Sequence, residues 1–316
     1  MKKRNKIVLG LSLGAIVPAA VNYLLFKAFE GPVESKYRQY YHSFKYGKIR
    51  YIKKGKGEPI LLIHSAGPGG SLEEWMKIIE PLSKHYRVYA LDLLGHGNSD
   101  CPALSYSSYL YAEMINDFVE NVIKEKANIV ASSESCMFAV AANSLKPHWI
   151  KKLILLSPGG MNATAKPYKK ATIILGKLMN IPHIGTTLYN IMYSRPFMSY
   201  FIRRHCFYDP LNAGFGLINK YYLFAHNKGP AGRYPVSDML SGHFNLNIYH
   251  KLKNIDIPVK IIWGEENEIN PVNNIYDTIR ENPSIKIAII ERTRMLPQRE
   301  SPMEFIKECR SFIENQ

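Results

Sequence analysis

Short apolar runs alternate with helical stretches along two parts of the chain, and this alternation limits the possible fold more than any other feature. The first runs, each bounded by turn residues, are Pro59–His64, Arg87–Leu93, Asn128–Ser132 and Lys152–Ser157. The helical stretches between them are Leu72–Lys84, Tyr109–Lys124 and Ser135–Leu145. A strand that is apolar along its whole length is typically buried on both faces of a parallel sheet. The pattern therefore predicts an α/β fold with a doubly wound, mostly parallel sheet.

The alternation is interrupted once and then resumes. It stops at Pro158-Gly159-Gly160, and residues 161–255 are aromatic, basic and mostly helical in periodicity. Strands are predicted again at Pro258–Gly264 and Ile285–Glu291, each followed by a helix. We therefore predict a sheet-based core, residues 44–160 and 256–316, that opens with a hairpin over Phe44–Lys54. Residues 161–255 form a helical cap inserted between two strands of that core, and residues 28–43 form a connector.

The N-terminal segment, residues 1–27, reads as a membrane anchor. Lys2, Lys3, Arg4 and Lys6 precede an uncharged apolar run from Ile7 to Phe26, which is long enough for a helix to cross a bilayer. The basic cluster favours an anchored protein whose larger part is extracytoplasmic. A signal peptide cleaved near Val17-Pro18-Ala19 is the alternative interpretation.

The charge balance limits the classes of partner. A net charge of +15 favours an anionic partner or surface. No nucleic-acid-binding motif accompanies it, so we expect membrane lipid rather than nucleic acid. Aromatic and basic residues interleave in the cap, which fits either a lid over an apolar pocket near lipid or an ordinary helical cap. The four cysteines contain no CxxC pair, so neither a metal site nor a cofactor is predicted.

The most informative stretch is Asn128-Ile-Val-Ala-Ser-Ser-Glu-Ser-Cys136, in which an apolar strand meets a helix at Ser133. A serine on so sharp a strand-to-helix turn needs small residues two before it and two after it, because larger side chains would clash. Ala131 and Ser135 occupy those two positions. Ser133 is therefore a candidate nucleophile.

Two further loops support this interpretation. His64-Ser65-Ala66-Gly67-Pro68-Gly69-Gly70 follows the first buried strand, and Asp92-Leu-Leu-Gly-His-Gly-Asn-Ser99 follows the next. Together with the Ser133 turn, these loops resemble the oxyanion loop, the Asp-x-x-Gly-His-Gly-x-Ser loop and the nucleophile elbow of the α/β-hydrolase superfamily, in its serine esterase and lipase-like branch. The resemblance covers about residues 44–316. It implies that the backbone N–H groups of Ala66 and Glu134 form the oxyanion hole, and that His64 and His96 have structural roles in their loops.

The same resemblance places the catalytic acid and base at positions that carry other residues. Gly264-Glu-Glu-Asn267 has asparagine at the acid position, and Arg294-Met-Leu-Pro297 has Met295 at the histidine position. Methionine has no nitrogen that accepts a proton. Glu266 or Glu268 could replace the acid, and His243 is the best relocated base that the sequence offers.

Two functional hypotheses remain open. In the first, hydrolysis is impaired or lost and the chain binds a lipophilic small molecule or a partner. In the second, the chain is an active serine hydrolase of the carboxylesterase or lipase type, with a base other than the usual histidine.

Overall fold

A single eight-stranded sheet organises the chain, whose computed structural model describes residues 18–161 and 168–315. The strands are β1 (Tyr40–Phe44), β2 (Gly47–Lys54), β3 (Pro59–Ile63), β4 (Arg87–Leu91), β5 (Ala127–Ser132), β6 (Ile150–Leu156), β7 (Val259–Gly264) and β8 (Lys286–Ile290). Their order across the sheet is β1-β2-β4-β3-β5-β6-β7-β8. β2 pairs antiparallel with β1 and β4, and all other neighbouring pairs are parallel. The sheet is mostly parallel, as the alternation of strands and helices predicted.

Helices cover both faces of this sheet. Helix α1 (18–29) precedes the sheet along the chain. The helices of the core are α2 (Met76–Leu82), α3 (Ser108–Phe118), α4 (Ser135–Leu145), α11 (Tyr276–Glu281), α12 (Pro297–Glu300) and α13 (Pro302–Glu314). Between β6 and β7 lie α5 (Lys170–Met179), α6 (Ile184–Met192), α7 (Arg195–Phe201), α8 (Phe215–His226), α9 (Arg233–Ser241) and α10 (Tyr249–Lys253). We call α5–α10 the cap.

The alternation of side chains along each strand divides the core into two layers. In β3, Leu61 and Ile63 belong to the cluster that α3 and α4 cover, whereas Ile60 and Leu62 belong to the cluster under α2 and α13. All four are fully buried. Successive side chains of a strand point to opposite faces, so a strand buried on both faces must be apolar throughout.

The predicted transmembrane helix is wrong, and the predicted membrane-anchored location is contradicted with it. Across residues 18–161 and 168–315, no helix has the length and apolar character needed to cross a membrane. Residues 1–17 of the predicted anchor lie outside the described residues. The described remainder is α1, whose 18–29 span would rise only about 18 Å against a hydrocarbon core of about 30 Å.

One side of α1 packs against the cap. Phe26 is buried in the cap's apolar cluster, together with Met179, Tyr189 and Tyr222. The amide of Asn22 donates to Thr187 Oγ1 at 2.9 Å. Other apolar side chains of α1, among them Leu24, are more than half exposed.

Candidate functional site

The turn between β5 and α4 holds Ser133 in an unusual backbone conformation. Its φ is 53°, in the left-handed region that residues other than glycine seldom adopt. The Ser133 N–H donates to the Leu156 carbonyl at 2.9 Å, and the Gly159 N–H donates to the Ser133 carbonyl at 3.2 Å. Ser135 is fully buried, and its hydroxyl donates to the His64 carbonyl at 2.6 Å. Contacts from β6, the loop after it and the loop after β3 therefore hold this turn.

The loop after β3, residues 64–70, is fixed by buried side chains. The His64 Nε2 atom accepts from the Leu93 N–H at 3.0 Å, which leaves Nδ1 to donate to the Ser65 carbonyl at 2.7 Å. His96 Nε2 lies 3.1 Å from the Ala66 carbonyl. Glu74 accepts from the Ser65 N–H and hydroxyl at 3.0 and 2.9 Å. These contacts set the orientation of the peptide groups around Ala66.

Burial keeps both loop histidines neutral. Burial, followed by the neighbouring His96, lowers the pKa of His64 to about 3. The pKa of His96 is also lowered by burial, although hydrogen bonds to backbone carbonyls oppose that shift. Each ring is engaged within the loops, so neither is positioned as a proton acceptor for Ser133.

Ser133, Asn267 and Met295 line one cavity of about 170 Å³. The Asn267 side chain is buried, and its Oδ1 accepts from the Asn270 N–H at 3.0 Å. Met295 Sδ lies 4.0 Å from the Cys206 thiol. None of the ten histidines, all of which lie in the described part of the chain, lines this cavity. The three positions taken from the sequence thus meet around a space without an imidazole.

The alternative acids and the alternative base are engaged elsewhere. Glu268 is half-exposed and forms ion pairs with Arg204 and Arg294 at 2.9 and 3.0 Å. Glu266 Oε2 accepts from the Thr293 N–H at 3.2 Å. His243 pairs with Asp238 at 2.7 Å on the cap, with about half of its side chain exposed. None of the three candidates lines the Ser133 cavity.

A larger, apolar cavity of about 320 Å³ adjoins the first and lies between the cap and the loop after β3. Its walls are mostly aromatic, thioether and aliphatic side chains from the cap and from the segment before α12, namely Met192, Tyr193, Phe197, Met198, Phe201, Ile202, Tyr221, Met239, Met295 and Leu296. Sites for small organic ligands are typically concave and apolar, with few polar groups. Glu134 and Met295 line both cavities.

Comparison with known proteins agrees with this fold. Residues 59–291 match the family model described as alpha/beta hydrolase fold. This chain belongs to that family. The resemblance inferred from its loops is therefore confirmed at the level of the superfamily.

Individual relatives of this alpha/beta hydrolase are distant. A 2-hydroxy-6-oxo-6-(2'-aminophenyl)hexa-2,4-dienoic acid hydrolase from Metapseudomonas resinovorans is 23% identical over 238 residues, which cover 72% of this chain and 74% of the relative. The structure of a serine hydrolase involved in carbazole degradation has a TM-score of 0.73 at 21% identity, covering 88% of this chain and 99% of the other. A membrane phospholipase A has a TM-score of 0.70 at 19% identity, covering 99% and 98%. At these identities the structural likeness concerns the fold.

Sequence reasoning assigned Glu134 a backbone role and missed its side chain. The Glu134 carboxyl lies beside its own backbone N–H and the Ser133 hydroxyl. Burial raises the pKa of this carboxyl, and those two neighbours offset part of the rise. The N–H predicted to stabilise an oxyanion therefore lies beside an acidic side chain. The sequence did contain a signal for this side chain, namely an acidic residue directly after the nucleophile position. It lies at the start of helix α4, where a negative charge is favoured.

Metal ligands and disulfides do not contribute to the described site. Within residues 18–161 and 168–315, no group of three or more histidine, cysteine, aspartate and glutamate side chains could hold a metal ion. All four cysteines are free thiols. Burial raises the pKa of the Cys206 thiol at the cavity wall to about 12, which keeps it protonated and unreactive near neutral pH.

Proposed function

We propose that this alpha/beta hydrolase binds a hydrophobic small molecule beneath its cap and that its hydrolysis of esters is impaired. The observation that carries the proposal is the pair Asn267 and Met295 beside Ser133, in a cavity that no histidine lines. A serine hydroxyl is a weak nucleophile unless a neighbouring base removes its proton. Methionine cannot do so, because its thioether is not basic.

The surroundings of Glu134 also disfavour ester hydrolysis. An oxyanion hole requires backbone N–H groups that are aimed at the charge developing in the transition state. The Glu134 N–H lies beside its own carboxyl, which competes with a substrate for it. A substrate carbonyl would have to displace that carboxyl before the N–H could stabilise it.

The apolar cavity supports the binding part of the proposal. Its volume of about 320 Å³ falls within the size range of small-molecule sites. The thioethers of Met192, Met198 and Met239 give the wall unbranched, adaptable side chains. Such a wall suits an aliphatic or aromatic ligand body.

One observation favours a second candidate function, a slow serine hydrolase. The Ser133 hydroxyl lies beside the Glu134 carboxyl, which makes this carboxyl a candidate proton acceptor. In that reaction the proton moves from Ser133 to Glu134 while the serine oxygen bonds to the substrate's acyl carbon. The glutamate becomes neutral as the negative charge passes to the substrate oxygen.

Two measurements on the same protein separate these functions. The first follows labelling by a fluorophosphonate and turnover of a p-nitrophenyl ester, in the natural chain and in Ser133→Ala. We expect slow labelling and turnover close to that of Ser133→Ala. Rapid labelling and turnover that both require Ser133 would contradict the proposal in favour of the second candidate.

The second measurement is binding of N-phenyl-1-naphthylamine, a neutral probe whose fluorescence rises in apolar surroundings. We expect saturable binding that Met192→Trp weakens, because indole would fill part of the cavity. Leu211→Trp is the matched control, since Leu211 is 88% exposed and lies outside the cavity. Equal binding by both variants would place the probe elsewhere and contradict the proposed pocket.

A further inference from the structure

Glu134 is the one charged side chain that lines either cavity among the described residues. The other polar groups in the walls are hydroxyls, amides, backbone groups and the thiol of Cys206. Four neighbours could ionise, namely three tyrosines and one thiol. Burial raises the pKa of Tyr168, Tyr193 and Tyr221, and raises that of Cys206 to about 12. All four remain neutral near pH 7, so the ionised Glu134 carboxylate would be the sole charge facing a ligand from these walls.

The carboxyl has the position and the chemistry of a head-group acceptor. It lies where the apolar cavity meets the smaller cavity that holds Ser133 and Asn267. The donors beside it are its own N–H and the Ser133 hydroxyl, whereas an ionised carboxyl accepts about four hydrogen bonds. Acceptors that are largely removed from water are normally satisfied, and a charged one gains most from a charged donor.

We propose that the ligand has an apolar body in the larger cavity and a hydrogen-bond-donating head, most favourably an amine, that binds the Glu134 carboxyl. This inference rests on the proposed function and specifies its ligand. A ligand with a carboxylate head would bring a second negative charge beside Glu134, with no lysine or arginine in the described walls to balance it. Such a ligand is therefore disfavoured.

The predicted preference for an amine head over a carboxylate head is opposite to the preference expected from the net charge of the whole chain. A net charge of +15 attracts anions and repels cations at long range. At physiological ionic strength such forces are screened beyond about 8 Å, so the partly buried Glu134 carboxyl in the cavity wall controls the choice of head group. A preference for amines would therefore show that the Glu134 carboxyl, and not the net charge of the chain, determines which head group binds.

The test compares ligands with the same body and different heads. Decylamine, decanol and decanoate, each below its critical micelle concentration, compete with N-phenyl-1-naphthylamine near neutral pH and at physiological salt. We expect decylamine to bind at least about tenfold more tightly than decanoate, as a charge-assisted hydrogen bond allows, with decanol between them. Glu134→Gln should weaken decylamine about tenfold and reduce or reverse the preference. Glu268→Gln, which changes a half-exposed carboxylate outside both cavities, is the matched control and should leave the preference unchanged.

The outcomes distinguish this inference from the proposed function. If the neutral probe binds but decylamine and decanoate compete equally, or if Glu134→Gln leaves their ratio unchanged, the head-group assignment is wrong while the pocket stands. The assignment is also wrong if the probe binds and no decyl compound displaces it. If neither the probe nor any decyl compound binds, the proposed function itself fails.

Discussion

At the scale of single residues, Met295 and Asn267 decide whether Ser133 can be activated. Both line the Ser133 cavity, although Met295 also contacts the Cys206 thiol. In serine proteases, loss of triad members lowers kcat by about 10⁴–10⁶. A histidine and an aspartate at these two positions would supply the missing base and acid. The strand-to-helix turn that holds Ser133 is already present.

We therefore expect Met295→His combined with Asn267→Asp to raise turnover of a p-nitrophenyl ester by at least about tenfold, a small part of what a complete triad supplies. The measurement is steady-state hydrolysis with burst analysis. The same double substitution in a Ser133→Ala background is the control and should show no gain. An unchanged rate in a correctly folded double variant would mean that the carboxyl of Glu134, or the shape of the pocket, also prevents the reaction.

At the scale of elements, a buried ion pair joins strand β2 to the loop that follows β4. Arg50 Nε lies 2.5 Å from Asp92 Oδ2, and both side chains are fully buried. Asp92 also accepts from the N–H groups of Leu72 and Asn98, at 2.8 and 2.6 Å. Burial alone would raise the pKa of Asp92, but the charge and hydrogen bond of Arg50 hold it below its usual value. The carboxylate thus depends on its partner.

Arg50→Met should lower the free energy of unfolding by about 3–5 kcal/mol, because it leaves a buried carboxylate without its counter-charge. Urea denaturation followed by circular dichroism measures this change. Lys45→Met is the matched control, since Lys45 and Glu113 form a pair at the surface, 48% and 50% exposed. Its effect on the free energy of unfolding should be much smaller, because exposed ion pairs contribute little to stability. Similar losses of unfolding free energy in the two variants would show that the buried pair contributes no more to stability than the surface pair.

The elements also differ in how well the sequence predicted them. The bounds of strands buried on both faces were predicted closely, because a short apolar run between turn residues is compatible with few other structures. For example, the predicted strand Pro59–His64 corresponds to β3, Pro59–Ile63. The apolar run that ends at Phe26 was misread. In its described part Phe26 packs on the cap, whereas Val21 and Leu24 are more than half exposed. A sequence window does not distinguish lipid from a protein surface.

At the scale of the whole molecule, the side chains of the site were harder to predict than its backbone. The order of loops along the chain indicated which residues surround Ser133, because parallel strands end at one edge of the sheet. The surroundings of the Glu134 carboxyl depend on its rotamer and on cavities formed by the cap. Those cavities join residues as distant in sequence as Ser65 and Leu296. Local patterns contain no information about such contacts.

The division of the molecule into a sheet core and a cap with its own apolar cluster predicts two levels of stability. The cap cluster contains Met198 and Tyr222, whereas β5 and β6 lie within the two clusters of the sheet. We expect amides of α7 to exchange with deuterium faster than amides of β5, because α7 can open without unfolding the sheet.

α7 lines the apolar cavity. Decylamine at 100 times its Kd should therefore slow α7 exchange by about a hundredfold, since a ligand that binds only the closed state adds RT ln(1 + [L]/Kd). Local opening of the edge strand β1 leaves the cavity intact, so its rate should not change. Equal exchange rates in α7 and β5 without ligand would contradict this prediction, because they would mean that the cap opens only when the whole chain unfolds.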